Sequence, residues 1–186
     1  SFYNKIFRGV LLILLVLLVI VTFISKWLVS FFTSLDYLDA WIYIPVLTLG
    51  VFFSCVSGLA GSTFSAVRKS RYFFYSSVYG GLSSIVFNFL LIPLWGIWGA
   101  VLSVVLSFMV MSVSRVAYSW TYVKLTHIPR LLLMLLLTCI YIVSVCLTGS
   151  ANSLVAGFIT IGLLLLLNCD LLHLLKRKII KRYIAK

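Results

Sequence analysis

Of the 186 residues, 63% are hydrophobic and 10% are charged, and the mean hydropathy is +1.22. That balance excludes a soluble globular domain, which needs about a quarter of its residues charged to cover its surface. The net charge of +12 does not indicate nucleic acid either, because Lys and Arg fall in short clusters between apolar runs instead of along one polar face.

In chain order, Lys5 and Arg8 precede a first apolar run at residues 10–29. It supplies the roughly 20 residues that a helix needs to cross about 30 Å of hydrocarbon. Helix is the expected form of every such run, since backbone groups in lipid must pair within their own segment. Lys26 sits near the far end of this run, where its ammonium is expected to snorkel to the interface. A connector bearing Asp36 and Asp39 leads to a second run at residues 41–67. At 100° per residue, Gly50, Ser54, Ser57 and Gly61 share one side of that helix.

The basic connector Arg68-Lys69-Ser70-Arg71 opens a third run at residues 72–94, with Ser77, Gly81, Ser84 and Asn88 on one side. Pro93-Leu94-Trp95-Gly96 marks a turn into a fourth run at residues 98–123, striped with Gly96, Ala100, Ser103, Ser107 and Ser114. Small and hydroxylated stripes let helices approach closely or border a polar cavity. Two further runs, residues 131–148 and 154–175, are separated by Gly149-Ser150-Ala151-Asn152. Their leucine-rich sequences are expected to face lipid. A basic segment, residues 176–186, closes the chain.

Cys55, Cys139, Cys146 and Cys169 all lie inside apolar runs, where a thiol behaves as a small hydrophobe. No disulfide framework, metal site or cofactor is expected. The chain opens on Ser1, shows no cleavable leader and reads as part of a longer polypeptide.

Thirteen of the fifteen Lys and Arg residues lie on alternate connectors: Lys5 and Arg8, then Arg68, Lys69 and Arg71, then Lys124 and Arg130, then six after Leu175. The opposite connectors hold no Lys or Arg, and two of the three acids. By the positive-inside rule, both ends and the Arg68 connector are expected in the cytoplasm. Trp27, Trp41, Tyr43, Trp95 and Trp98 fall near the opposite ends of the spans, as in an interfacial aromatic belt. The expected fold is thus an all-α integral membrane protein of six transmembrane helices, with four in residues 1–124 and a pair in 125–175.

Arg115 is the strongly polar residue placed well inside a span, nine residues before Lys124 or about 13 Å from it. A guanidinium at the membrane centre costs roughly 2.5–3.5 kcal/mol on insertion scales, so it needs water, an acid or an anion as partner. Neither Asp36, Asp39 nor Asp170 is an evident partner by position; Asp170 is expected to pair with His173 or Lys176. Asn88 needs partners for its amide, which an interhelical hydrogen bond or a ligand could supply. Arg68, Lys69 and Arg71 follow from topology and are also candidates for an anionic lipid head group.

The stretch Asn88-Phe89-Leu90-Leu91-Ile92-Pro93-Leu94-Trp95-Gly96-Ile97-Trp98-Gly99-Ala100, preceded by its basic connector, resembles polysaccharide flippases of the O-antigen type. These belong to the multidrug, oligosaccharidyl-lipid and polysaccharide exporter superfamily. The resemblance implies two six-helix lobes with appended helices, of which this chain would supply the last six of fourteen: four from the second lobe, then a peripheral pair. It implies translocation of undecaprenyl-diphosphate-linked oligosaccharide across the bacterial inner membrane by alternating access, in concert with other polysaccharide-assembly proteins. It also implies a cationic cavity, for which Arg115 is the candidate, with Asn88, Ser84, Ser103 and Ser107 beside it. A multidrug or lipid II exporter of the same superfamily is the nearest alternative. A membrane-embedded enzyme of polysaccharide synthesis is the alternative from another class, though His127 and His173 lie near span ends, where a catalytic base is poorly placed.

Overall fold

The computed structural model describes residues 2–33, 35–120, 128–148 and 153–167, and these are almost entirely helical, with no strand among them. The elements are α1 (Phe2–Phe32), a 3-10 turn (Leu35–Ile42), α2 (Tyr43–Ala66), α3 (Ser70–Trp95), α4 (Ile97–Trp120), α5 (Ile128–Thr148) and α6 (Ser153–Leu167).

Among the described residues, four helical segments are long and apolar enough to cross a membrane: Ile6–Phe32, Asp39–Ala66, Ser70–Trp95 and Ile97–Trp120. The shortest, at 24 residues, is about 36 Å long, which exceeds the hydrocarbon thickness of about 30 Å. The fifth expected span contains a shorter apolar helix, Leu132–Cys146. The sixth is described only as far as Leu167, and the expected basic tail, Asp170, His173 and Cys169 lie outside the described residues.

The chain divides into two compact units, Ser1–Ile20 with His127–Lys186, and Val21–Thr126, so the division passes through α1. In the first unit α5 packs on α6. Its buried side chains recur at helical spacing: Phe7, Leu11, Leu15 and Leu18 on α1, and Met134, Thr138, Tyr141 and Val145 on α5. Gly157 of α6 lies under Tyr141, whose hydroxyl would stand 3.1 Å from any Cβ placed there. A side chain at Gly157 would require the Tyr141 ring to give by a few tenths of an ångström.

In the second unit, α4 packs along both α2 and α3, which touch each other little. Tyr43 meets Trp98, Gly50 approaches Val105, and Gly61 approaches Arg115. These near-equal steps in the same direction show that α2 and α4 run parallel. Against α3 the order reverses. Gly99 approaches Leu91, Ser103 bonds Asn88, Gly80 approaches Met111, Arg115 bonds Ser76, and Tyr118 meets Tyr72. The pair is an antiparallel hairpin.

Its turn is set by two glycines. Gly96 has φ +55° and ψ −126°, a conformation a side chain would clash with, and its N–H donates to the Ile92 carbonyl at 2.8 Å. Gly99 faces the Leu91 carbonyl so closely that a Cβ would collide with the backbone. Pro93 sits in the last turn of α3, just before the helix ends.

The α2–α3 turn closes differently. Lys69 N–H donates to the Phe64 carbonyl and Arg68 N–H to that of Ser65, the paired bonds of a Schellman ending. Arg68 takes the left-handed position, at φ +56°, where glycine is usual.

Candidate functional site

Lipid tails are as apolar as leucine, so helices in a membrane are held by close packing and interhelical hydrogen bonds. The second unit has both, concentrated on α4. Ser103, Ser107, Ser112, Arg115 and Ser119 are buried along it, as are Ser57, Gly61 and Phe64 of α2 and Ser76 and Gly80 of α3. Most of these hydroxyls bond back to a carbonyl of their own helix three or four residues earlier, as Ser107 does to Ser103 at 2.5 Å. Two places do more than that.

The first joins Asn88 to Ser103. The Ser103 hydroxyl donates to Asn88 Oδ1 at 2.6 Å. The Asn88 amide donates in turn to the Ser84 carbonyl at 2.8 Å and reaches the Ser84 hydroxyl at 3.3 Å. Four of the expected cavity residues, Ser84, Asn88, Ser103 and Ser107, therefore lie in one local network on α3 and α4. Asn88 is partnered by protein, as one of the two readings of its amide expects.

The second is Arg115, 5% exposed between α2 and α3. Nε donates to the Ser76 hydroxyl at 3.0 Å, Nη2 to the Ser77 hydroxyl at 2.8 Å, and Nη1 to the Ser57 carbonyl at 3.2 Å. Its guanidinium carbon lies 4.0 Å from the centre of the Phe73 ring. The room for this comes from Gly61, where a Cβ would stand 2.9 Å from the Phe73 ring and 3.2 Å from Nη1. Ser76 and Ser57 are fully buried.

Magnitudes show what these contacts achieve. Interhelical hydrogen bonds in membranes average about 0.6 kcal/mol, and a desolvated cation–π contact reaches about 2 kcal/mol. Together they are comparable with the roughly 2.5–3.5 kcal/mol cost of inserting the side chain. They do not neutralise it. No carboxylate lies within ion-pair distance of Arg115 among the described residues, and two of its five N–H groups have no partner among them. The Ser57 hydroxyl is likewise buried without a partner.

At the Arg68 end of the unit, Arg68, Lys69 and Arg71 are exposed. Arg71 lies over the Tyr72 ring at 5.2 Å, and Tyr72 stands between Phe64 and Tyr118. At the opposite end, Lys26 lies 5.7 Å over the Trp41 ring, and Tyr43 meets Trp98 edge to face. Tyr43 and Trp98, two of the aromatic residues expected in a belt, thus meet at this end of the unit.

The expected stripes are met unevenly. On α2, Gly50, Ser57 and Gly61 are buried. On α3 the buried small residues are Ser76 and Gly80, whereas Gly81 faces open space. Gly96 belongs to the turn. Ser76 and Phe73 as partners of Arg115 were not expected from sequence; Ser76 differs from its striped neighbour Ser77 by one position, and Phe73 carries no polar signal. Comparison with protein families, characterised proteins and solved structures returns no match for this chain.

Proposed function

We propose that this chain is part of a carrier that moves undecaprenyl-diphosphate-linked oligosaccharide across the bacterial inner membrane by alternating access. In this reading six helices span the bilayer with both ends in the cytoplasm, and no catalytic step is involved. One observation carries the proposal: a guanidinium enclosed among apolar helices, hydrogen-bonded but without a counter-charge among the described residues. A diphosphate supplies the missing charge, and its oxygens suit the fork of N–H groups that arginine offers. The two N–H groups left over and the Ser57 hydroxyl are donors for it. The resemblance of residues 88–100 to polysaccharide flippases supports the same reading.

Arg115 is enclosed in the state described, so the transport cycle must open the bundle around it. Other polysaccharide-assembly proteins are the partners this reading implies. In the full-length protein, Arg115→Ala is expected to abolish surface polymer while the membrane level of the protein persists. Arg115→Lys, which keeps charge but loses the fork, retains part of the activity. Arg115→Gln, which keeps an amide donor and loses charge, behaves as the Ala variant. Normal export by Arg115→Ala would overturn the proposed role, and disappearance of the protein from the membrane would assign Arg115 to folding alone.

A further inference from the structure

Nε and Nη2 of an arginine lie on the same edge of the planar guanidinium, and that edge is one of the forks it offers to the two oxygens of a phosphate or carboxylate. On Arg115 two neighbouring hydroxyls of α3 occupy it, Ser76 at 3.0 Å from Nε and Ser77 at 2.8 Å from Nη2. Each hydroxyl donates its own proton to the Phe73 carbonyl, at 2.8 Å from Ser76 and 3.0 Å from Ser77. Toward Arg115 both therefore act purely as acceptors, as anionic oxygens do.

This arrangement favours exchange. A serine that gives up Arg115 keeps its bond to the Phe73 carbonyl, so no hydroxyl is left orphaned. A phosphate oxygen is the better acceptor, since a charge-assisted hydrogen bond is roughly twice as strong as a neutral one. Nη1 and Nη2 each retain one N–H without a partner among the described residues, which offers an incoming anion its first hold. The exchange acts on one helix. α3 packs along α4 and touches α2 little, whereas α2 holds the guanidinium through the Ser57 carbonyl at 3.2 Å, on Nη1 and off the exchanged edge.

We propose that Ser76 and Ser77 are internal stand-ins for phosphate oxygens: they occupy the fork of Arg115 until the anion of the substrate displaces them, and the displacement loosens α3 from α4. The two serines are thus competitors of the substrate, and binding of the anion itself starts the opening of the enclosed site. This rests on the reading of Arg115 as the diphosphate contact of a lipid-linked oligosaccharide carrier.

Equilibrium binding by the full-length protein in detergent tests it, with polyprenyl diphosphate as the probe and polyprenyl alcohol as its uncharged counterpart. Removing a competing acceptor raises the energy of the empty site and leaves the occupied one unchanged, so affinity rises. At the average strength of such bonds in membranes, Ser77→Ala is expected to bind the diphosphate about threefold more tightly, and Ser76→Ala with Ser77→Ala about sevenfold. Ser77→Thr, which keeps the hydroxyl, binds as wild type does. Affinity for the alcohol stays the same throughout. Unchanged or weaker diphosphate binding in the Ala variants, an equal gain for the alcohol, or an equal gain in Ser77→Thr overturns the competition and leaves Arg115 as a diphosphate contact. Binding by the double Ala variant where wild type shows none supports the competition. Binding of the diphosphate by neither protein overturns the carrier reading itself.

Discussion

Arg115 on α4 and Ser76 on α3 are joined by a buried hydrogen bond of 3.0 Å between Nε and the serine hydroxyl, thirty-nine positions apart in the chain. With Ser77 at 2.8 Å on the same guanidinium, α3 supplies both hydroxyl acceptors, while α2 contributes a backbone carbonyl. Side-chain substitution can thus remove the α3 contacts and leave the α2 contact in place. Ser76→Ala is expected to destabilise the protein by about 0.6 kcal/mol, the average for such bonds in membranes, and by no more than about 1.7 kcal/mol. Thermal unfolding of the full-length protein in detergent measures it. If Ser76→Ala with Ser77→Ala unfolds no earlier than wild type, the bonds are not holding α3 to α4.

Gly61 and Gly81 form a paired test of packing. A methyl group at Gly61 meets the Phe73 ring at 2.9 Å and Arg115 Nη1 at 3.2 Å, whereas one at Gly81 meets nothing within 4 Å. Gly61→Ala is expected to cost about 1–3 kcal/mol, and Gly81→Ala to be neutral or slightly stabilising. Equal unfolding temperatures for the two variants would contradict the close approach of α2 to the Arg115 cluster.

The Asn88–Ser103 bond predicts energetic coupling. In a double-mutant cycle of Asn88→Ala and Ser103→Ala, the interaction energy is expected near 0.6 kcal/mol and no more than about 1.7 kcal/mol. Additive effects would show that the 2.6 Å contact contributes nothing to stability.

Orientation follows from charge. In a cysteine-free background, a cysteine at Ser70 is expected to resist an impermeant thiol reagent in intact cells, and one at Asn152 to react. External labelling at position 70 would reverse the assigned topology.

Much of this protein is legible in its sequence because a membrane imposes simple demands. Apolar runs of about 20 residues require helices, and Pro93 with Gly96 marks where α3 turns into α4. The uncompensated position of Arg115 is visible in the same way, since charged residues are few and no acid is close in sequence. What the periodic pattern leaves open is which of two adjacent columns a helix buries. On α3, Ser76 and Gly80 lie one residue before Ser77 and Gly81, only 100° around the helix, and both columns are small. The choice belongs to the neighbour: α4 brings Met111 against Gly80 and Arg115 against Ser76, so that column is buried and Gly81 is left facing open space. The partners of Arg115 were hidden for a related reason. A backbone carbonyl such as that of Ser57 exists at every residue, and the ring of Phe73 looks like any other apolar position. Only the parallel pairing of α2 with α4 and the antiparallel pairing of α3 with α4 bring those two groups to one guanidinium.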